Sequence, residues 1–134
     1  KDALGNPVAG VDVTFSVTNG GGTIAPASTV KTNAQGIASP TSWTLGTKVA
    51  NNPNTLAASI ATPGVAAAAI TATAIPGPAA RITKHAGDNQ VGAVNAPLPI
   101  DPAVRILDAN DNPVVAGTSV TFAVTSGGGS ISGA

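Results

Sequence analysis

The feature that most limits how this chain can fold is that the sequence motifs near its start recur near its end. Three blocks recur in the same order: Asp2-Ala-Leu-Gly-Asn-Pro-Val8 as Asp108-Ala-Asn-Asp-Asn-Pro-Val114, Val13-Thr-Phe-Ser-Val-Thr18 as Val120-Thr-Phe-Ala-Val-Thr125, and Gly20-Gly-Gly-Thr-Ile24 as Gly127-Gly-Gly-Ser-Ile131. The offset is 106 residues for the first block (2 to 108) and 107 for the second (13 to 120), so one residue is inserted between them. The chain therefore contains the start of its own repeat, with a period of about one domain.

A period of this length predicts an array of whole domains, because the much shorter repeats of a solenoid share one core between neighbours. We expect residues 1–78 to form the later part of one repeat, without its opening strands, and residues 79–134 to form the first half of the next. The boundary is predicted at Pro76-Gly77-Pro78, where two prolines remove backbone donors and stiffen the connection. Because the chain starts at Lys1 without an initiator Met and opens inside a motif, we expect it to be an excerpt.

Short runs with a period of two predict β-strands. Val13, Phe15 and Val17 alternate with polar residues, so their side chains share one face of a strand. Further strands are predicted over 29–32, 37–45, 55–61, 65–74, 80–84 and 103–107. The predicted core consists of the in-phase apolar residues and the single tryptophan: Val13, Phe15, Val17, Trp43, Leu56, Ile60, Val120, Phe122 and Val124.

The composition also favours an all-β fold. The chain has 16 Gly and 11 Pro, only 9% charged residues, and no Glu among its six acidic residues. Strong helix formers other than Ala are scarce, whereas Val, Ile and Thr recur in short runs and suit a pleated sheet. Turn residues separate these runs at intervals of roughly 8–14 residues, as in a β-sandwich.

Charge and hydropathy argue against several kinds of partner. The net charge is zero and the six cations are scattered, so we expect no nucleic-acid binding. The most apolar stretch, 65–74, is far shorter than the roughly 20 residues that cross a bilayer, so we expect no membrane insertion. Cysteine is absent, so no disulfide framework is possible and stability has to come from packing.

Residues 108–112 have the composition of a calcium site. Their side-chain oxygens are of the kind that a hard cation binds, and the candidate donors are Asp108, Asn110, Asp111 and Asn112. The first copy of this string has Leu4 and Gly5 in place of two of these donors, and both copies lie inside a repeat rather than at its boundary. We therefore favour an Asx turn, in which the side chain caps its own backbone, and expect no cofactor. A weak calcium site is the alternative.

No catalytic centre is predicted. His85 is the only histidine, and no nucleophile elbow or carboxylate pair accompanies it, so we interpret it as an exposed loop residue. The glycine triplets at 20–22 and 127–129 follow strands and are not followed by Lys, which favours turns with positive φ over a phosphate-binding loop. The sequence therefore predicts that the protein is not an enzyme.

Several motifs follow one another along the whole chain: Asp-x-x-Gly-Asn-Pro-Val at 2–8, Val-Thr-Phe-Ser-Val-Thr at 13–18, Thr-Asn-Ala-Gln-Gly-Ile-Ala at 32–38, Trp-Thr-Leu-Gly-Thr at 43–47, Pro-Gly-Pro-Ala at 76–79 and Ile-Thr-Lys-His-Ala-Gly-Asp-Asn-Gln at 82–90. In this combination they resemble the bacterial immunoglobulin-like repeat of the invasin and intimin family. The resemblance implies a tandem immunoglobulin-like β-sandwich in the stalk of a bacterial surface adhesin, or in a related extracellular or phage-borne fibre. It does not imply receptor binding, which in such proteins usually belongs to a domain at the tip.

We therefore expect a structural role, in which the protein spaces and displays something else at the bacterial cell surface or on a virion. Its expected partners are neighbouring immunoglobulin-like repeats, either in the same chain or through head-to-tail self-association. The alternative is a binding module for glycans or for a partner fibre, which would use exposed strand edges. In that case Trp43 would be a sugar-stacking platform. Because Phe15 and Phe122 are the only other aromatic residues, a core position for Trp43 is favoured.

Overall fold

The computed structural model describes residues 1–27 and 29–132 and is all-β with almost no helix. The chain forms two compact units, Lys1–Ile75 and Pro76–Ala134, which divide at the start of the Pro-Gly-Pro segment. Whether this division is a repeat boundary stays a prediction. Within the described ranges, no helix has the length and apolarity needed to cross a membrane.

The first unit contains two antiparallel sheets. Its strands are β1 (Asp12–Asn19), β2 (Gly22–Ala25), β3 (Val30–Lys31), β4 (Ser42–Leu45), β5 (Asn54–Ser59) and β6 (Ala68–Ala72), with a short 3-10 helix at Val49–Asn51. Four strands form one sheet in the order β3-β1-β5-β6, and β2 pairs with β4 in the other. Two antiparallel sheets in one unit are compatible with a β-sandwich.

The core of the first unit lies on one face of the four-stranded sheet. Phe15 pairs with Ala58 and Val17 with Leu56, so these side chains share a face. Phe15 is 7% exposed and Leu56 is 2% exposed. The other predicted core residues of this unit are partly buried: Val13, Val17, Trp43 and Ile60.

The second unit contains one β-hairpin. Strands β7 (Arg81–Ala86) and β8 (Ala103–Leu107) pair antiparallel, with Ile82 opposite Ile106. Beyond β8 the chain turns back along the outer edge of this strand. There Leu107 forms a bridge with Pro113, and the Val114 N–H donates to the Ile106 carbonyl over 3.1 Å.

The core predicted at Val120, Phe122 and Val124 differs from the structure. Val120 is partly buried, but Phe122 is 42% exposed and Val124 is 44% exposed. Strand β1, which contains the corresponding residues Phe15 and Val17, lies between β3 and β5. Residues 120–124 form no strand and pair with none in the described part of the second unit, and the core positions predicted for Phe122 and Val124 are not found.

Strand boundaries also differ from the predictions in the first unit. Strand β2 is absent from the predicted strands, which have only a turn at the glycine triplet 20–22. In the structure Gly22 already belongs to β2, and Thr23 pairs with Thr44. Strand β4 begins at Ser42 rather than at Ile37, since Pro40 lacks the N–H that a strand would need there.

Candidate functional site

The loop at residues 2–6 is an Asx turn. Asp2 Oδ1 accepts the backbone N–H groups of Leu4 (3.0 Å) and Asn6 (2.8 Å), and Asp2 Oδ2 accepts from Asn6 Nδ2 over 3.1 Å. The Asp2 N–H donates to the Asn6 carbonyl (2.9 Å), and the Gly5 N–H donates to the Asp2 carbonyl (3.1 Å). Gly5 has φ 87°, a conformation that glycine adopts without steric cost.

The loop at residues 108–112 repeats these hydrogen bonds atom for atom. Asp108 Oδ1 accepts from the backbone of Asn110 (2.8 Å) and Asn112 (2.9 Å), and Asp108 Oδ2 accepts from Asn112 Nδ2 over 2.9 Å. The Asp108 N–H donates to the Asn112 carbonyl, and the Asp111 N–H donates to the Asp108 carbonyl. Asp111 occupies the place of Gly5 with φ 65°, which aspartate tolerates better than most residues. The Asx turn predicted here is confirmed.

A third loop, at residues 33–37, is built in the same way around an amide. Asn33 Oδ1 accepts from the backbone of Gln35 (2.9 Å) and Ile37 (3.0 Å). The Asn33 N–H donates to the Ile37 carbonyl, and the Gly36 N–H donates to the Asn33 carbonyl. One side-chain oxygen in the Oδ1 position is therefore enough to close this loop, and either Asp or Asn can supply it.

In the second loop, unlike the first, the two side chains that close the loop are buried, and one of them also holds the start of the second unit. Asp108 is 3% exposed and Asn112 is 4% exposed, whereas Asp2 is exposed. Asp108 Oδ2 also accepts the Gly77 N–H over 2.9 Å. The Asn112 side-chain amide is the main reason that the pKa of Asp108 lies well below its usual value, and backbone N–H groups, that of Gly77 among them, add to this effect against the opposing effect of burial.

These contacts bear directly on the candidate calcium ligands. Both carboxylate oxygens of Asp108 already accept N–H donors, so the charge that would attract a cation faces positive dipoles. Asp111 pairs with Arg81 of β7. Within residues 1–27 and 29–132, no group of three or more His, Cys, Asp or Glu side chains is placed to hold a metal ion.

A cluster of asparagines forms the most enclosed polar group of the first unit. Asn54 has no exposed surface; its Oδ1 accepts the Gly46 N–H (3.1 Å) and its Nδ2 donates to Asn52 Oδ1 (3.0 Å). Asn52 bonds both backbone polar groups of Ala74, each over 2.8 Å. These hydrogen bonds connect Gly46, in the turn after β4, with Ala74 near the end of the unit. The composition of residues 51–54, Asn-Asn-Pro-Asn, predicts only a turn. An Asn at the start of an apolar strand is the one sequence signal of this cluster.

The first glycine triplet packs against this cluster. A Cβ on Gly20 would overlap the Asn54 side chain, and a Cβ on Gly22 would overlap the Thr44 carbonyl. Gly46 approaches the Gly20 carbonyl too closely for any side chain. The triplet is therefore a closely packed turn, as its position after a strand predicts.

His85 and Trp43 lie in strands. His85 is exposed on β7 rather than in the predicted loop, and its Nδ1 lies 3.4 Å from Arg105 Nη2. Trp43 lies in β4, and its indole nitrogen is buried without an acceptor among the described residues. An enclosed indole edge fits the predicted packing role better than an open sugar platform.

Two clefts lie in the second unit. One, of about 320 Å³, lies beside β8 and the segment 113–118, and its wall contains His85, Arg105 and Thr118. The other, of about 670 Å³, is lined by residues 95–98, 100–102 and 128–132, which include Asp101, Ser130 and Ser132. Among the described residues, no hydrogen bond joins one of these hydroxyl groups to His85 or Asp101.

Comparison of the chain with protein-family models, with curated proteins and with solved structures finds no significant match of any of the three kinds.

Proposed function

We propose that this protein is a structural spacer: a tandem immunoglobulin-like β-sandwich repeat from the stalk of a bacterial surface adhesin or from a related extracellular or phage-borne fibre. The observation that carries the proposal is the pair of Asx loops. The loops at 2–6 and 108–112 form the same hydrogen bonds through the same atoms, at the two places where the sequence repeats. The loop at 33–37 has the same geometry without the repeated sequence, so it is the combination of the sequence repeat with this geometry that favours two copies of one domain.

The connection between the two units supports a spacing role. In the first unit Asn52 bonds both the N–H and the carbonyl of Ala74, and in the second unit Asp108 bonds the N–H of Gly77. Only Ile75 and Pro76 lie between these two anchored residues, and the proline ring fixes one of the remaining torsions. A connecting segment as short as this suits a tandem array of domains.

The surface chemistry supports the same proposal. Charged residues make up 9% of the chain and aromatic residues 2%, and the cations are scattered through the sequence. Binding surfaces concentrate aromatic and arginine side chains at their centres. A chain with so few charged and aromatic residues fits a domain that holds other domains apart.

Scattering from chains with increasing numbers of repeats tests the proposal. One complete repeat can be assembled by joining residues 76–134 to residues 28–75, since position 134 corresponds to position 27 in the repeat; we call this the joined repeat. Chains of two and of four joined repeats would be compared by small-angle X-ray scattering. A spacer predicts that the maximum dimension rises in proportion to the number of repeats. Growth with roughly the square root of that number, as for flexibly linked units, would contradict the proposal. Lengthening the Ile75–Pro76 connection with Gly and Ser is the matched control and should produce the flexible behaviour.

A further inference from the structure

Asn19 is the last residue of β1 and the only asparagine in the chain that precedes a glycine. In an Asn-Gly pair the glycine nitrogen can attack the asparagine side chain, because glycine has no side chain that would shield this nitrogen. Asn6, Asn52 and Asn112 precede proline, which has no N–H with which to attack. The remaining asparagines precede residues that carry a side chain. Asn19 is therefore the most reactive amide of the chain.

Packing requires the glycine of this pair. Gly20 is buried with φ 85°, and a Cβ at this position would overlap the Asn54 side chain. The Gly20 carbonyl also comes so close to Gly46 that neither residue can carry a side chain. A larger residue that would slow the attack does not fit at position 20, so protection of Asn19 has to come from the fold.

The folded unit protects Asn19 by holding its side-chain amide. Asn19 Nδ2 donates to the Pro53 carbonyl over 2.7 Å and to the Asn51 carbonyl over 3.2 Å. Strand β1 pairs with β5 as far as Asn19, which lies opposite Thr55. In extended backbone ψ is about +135°, which keeps the following nitrogen away from Cγ of the same residue. Cyclisation therefore requires that this end of β1 separates from β5.

We propose that Asn19 is a modification site: it deamidates when the end of β1 separates from β5, and the product prevents the first unit from closing again. The Gly20 nitrogen attacks Asn19 Cγ and forms a bond with it. The bond from Cγ to Nδ2 breaks, and ammonia leaves with the proton of the Gly20 N–H. Water then opens the succinimide ring at one of its two carbonyl carbons, which leaves either aspartate at position 19 or an isoaspartyl linkage. The reaction needs water alone, because no atom is oxidised or reduced.

Neither product fits the folded unit. A carboxylate at position 19 accepts hydrogen bonds but donates none, so it would face the Asn51 and Pro53 carbonyls without a proton between them. An isoaspartyl linkage adds one carbon atom to the main chain just before Gly20, which is packed against Asn54. Both changes oppose the return of β1 to β5, so the modification is a permanent record that the unit has opened.

The second copy of the motif cannot undergo this reaction. Ser126 and Gly127 stand at the places of Asn19 and Gly20 in the sequence repeat. A serine side chain has no carbonyl carbon for the glycine nitrogen to attack, and its hydroxyl can still donate to a backbone carbonyl. Asn19→Ser is therefore the matched control that the chain itself offers.

Peptide mapping of the full chain tests the first half of the proposal. The chain is kept at mildly alkaline pH with and without guanidinium chloride, and cleavage at Lys1 and Lys31 isolates the peptide with Asn19. Exchange of NH2 for OH changes the mass of this peptide. We expect it to be modified more than roughly tenfold faster in guanidinium, because the folded unit opens only part of the time. Asn33 in the next peptide, and the Asn19→Ser chain, should remain unmodified over the same period.

Substitution by the product residue tests the second half. Asn19→Asp should lower the urea midpoint of the first unit and the fraction of chains that refold. Asn33→Asp adds the same charge in a loop that a carboxylate closes equally well, as Asp2 does, so it should change the midpoint little. Over repeated cycles of unfolding at alkaline pH, the refolding fraction of the native chain should fall severalfold while that of Asn19→Ser is kept.

Each outcome bears on one step of the proposal. Faster modification of Asn19 in guanidinium, with a lower midpoint for Asn19→Asp than for Asn33→Asp, supports it. Equal rates in the two solutions would overturn protection by the fold, and equal midpoints would overturn the claim that the product prevents closing. Scattering from joined repeats tests the spacer role separately, because it does not depend on the chemistry of Asn19.

Discussion

Asn54 has no exposed surface, and both ends of its side-chain amide are hydrogen-bonded. Another polar side chain, Asp108, is 3% exposed and is therefore about as buried as the core residue Leu56, which is 2% exposed. A buried polar atom that loses its partner costs more than the bond itself contributes. In this small core, single polar side chains therefore have large effects on stability.

The first prediction concerns this amide. Asn54→Ala leaves the Gly46 N–H and the Asn52 side chain without partners, so we expect the free energy of unfolding to fall by about 2–4 kcal/mol, given roughly 1–3 kcal/mol for each unsatisfied group. Urea titration followed by far-ultraviolet circular dichroism measures the change. The exposed Asn51→Ala is the control and should shift the midpoint little. Equal effects of the two substitutions would show that burial of Asn54 does not matter.

The second prediction concerns Trp43. Trp43→Ala removes a large ring from the partly buried face of β4 and should cost about 3 kcal/mol. Trp43→Phe keeps most of the packing and also removes a buried indole N–H that has no acceptor in the part of the chain that the structure describes, so it should cost clearly less. Thermal unfolding of both variants measures the difference, and native Trp43 should show blue-shifted fluorescence. Emission typical of hydrated indole would contradict the packing role.

Alternation with a period of two identifies Phe15 and Leu56 as core residues, because it indicates which face of a strand is covered. The burial of Asn54 cannot be predicted in this way, because it depends on Gly46 and Asn52, which only the folded chain brings together. The same alternation predicts a core position for Phe122, but it does not indicate whether neighbouring strands are present.

At the scale of elements, the Asx loop recurs at residues 2–6, 33–37 and 108–112. Each instance starts with Asp or Asn and places Gly or Asp at the position with positive φ. The turn chemistry could be predicted from these local residues, since all its hydrogen bonds lie within a few positions. The bond from Gly77 to Asp108 could not, because it joins residues far apart in the chain.

The third prediction follows from the low pKa of Asp108. Because the pKa in the folded state is below that of the unfolded chain, the stabilisation is present above about pH 4 and is lost as the pH falls through the folded value. Asp108→Asn should therefore destabilise the protein at neutral pH and flatten its loss of stability between about pH 4 and pH 2. The matched control is Asp101→Asn, at an exposed residue. An acid profile of Asp108→Asn that parallels that of the native chain would contradict this assignment.

The fourth prediction concerns calcium. Both oxygens of Asp108 accept N–H donors, so a chelator should leave the melting temperature nearly unchanged. Differential scanning calorimetry with and without chelator measures this. A decrease of more than about 10 °C that added Ca²⁺ reverses would correspond to more than roughly 1 kcal/mol and would revive the calcium site at residues 108–112.

At the scale of the whole molecule, the chain contains a first unit with two sheets and a second unit with one hairpin. The all-β class and most strands could be predicted from composition and alternation. The pairing order could not, because register depends on which apolar faces meet in three dimensions. We propose that the two units are parts of the same kind of domain, in which the loops at 2–6 and 108–112 occupy the same place.

Thermal unfolding of the joined repeat, residues 76–134 followed by residues 28–75, tests this claim most directly. It contains each segment of the repeat once, so the account predicts a monomer that unfolds in one cooperative transition at a higher temperature than residues 1–75 alone. Residues 1–75 should aggregate or unfold without a sharp transition, because β-edges and Ile70 are left open. Sedimentation and calorimetry on both chains measure the difference. A joined repeat without a cooperative transition, beside residues 1–75 that fold as a compact monomer, would contradict the account.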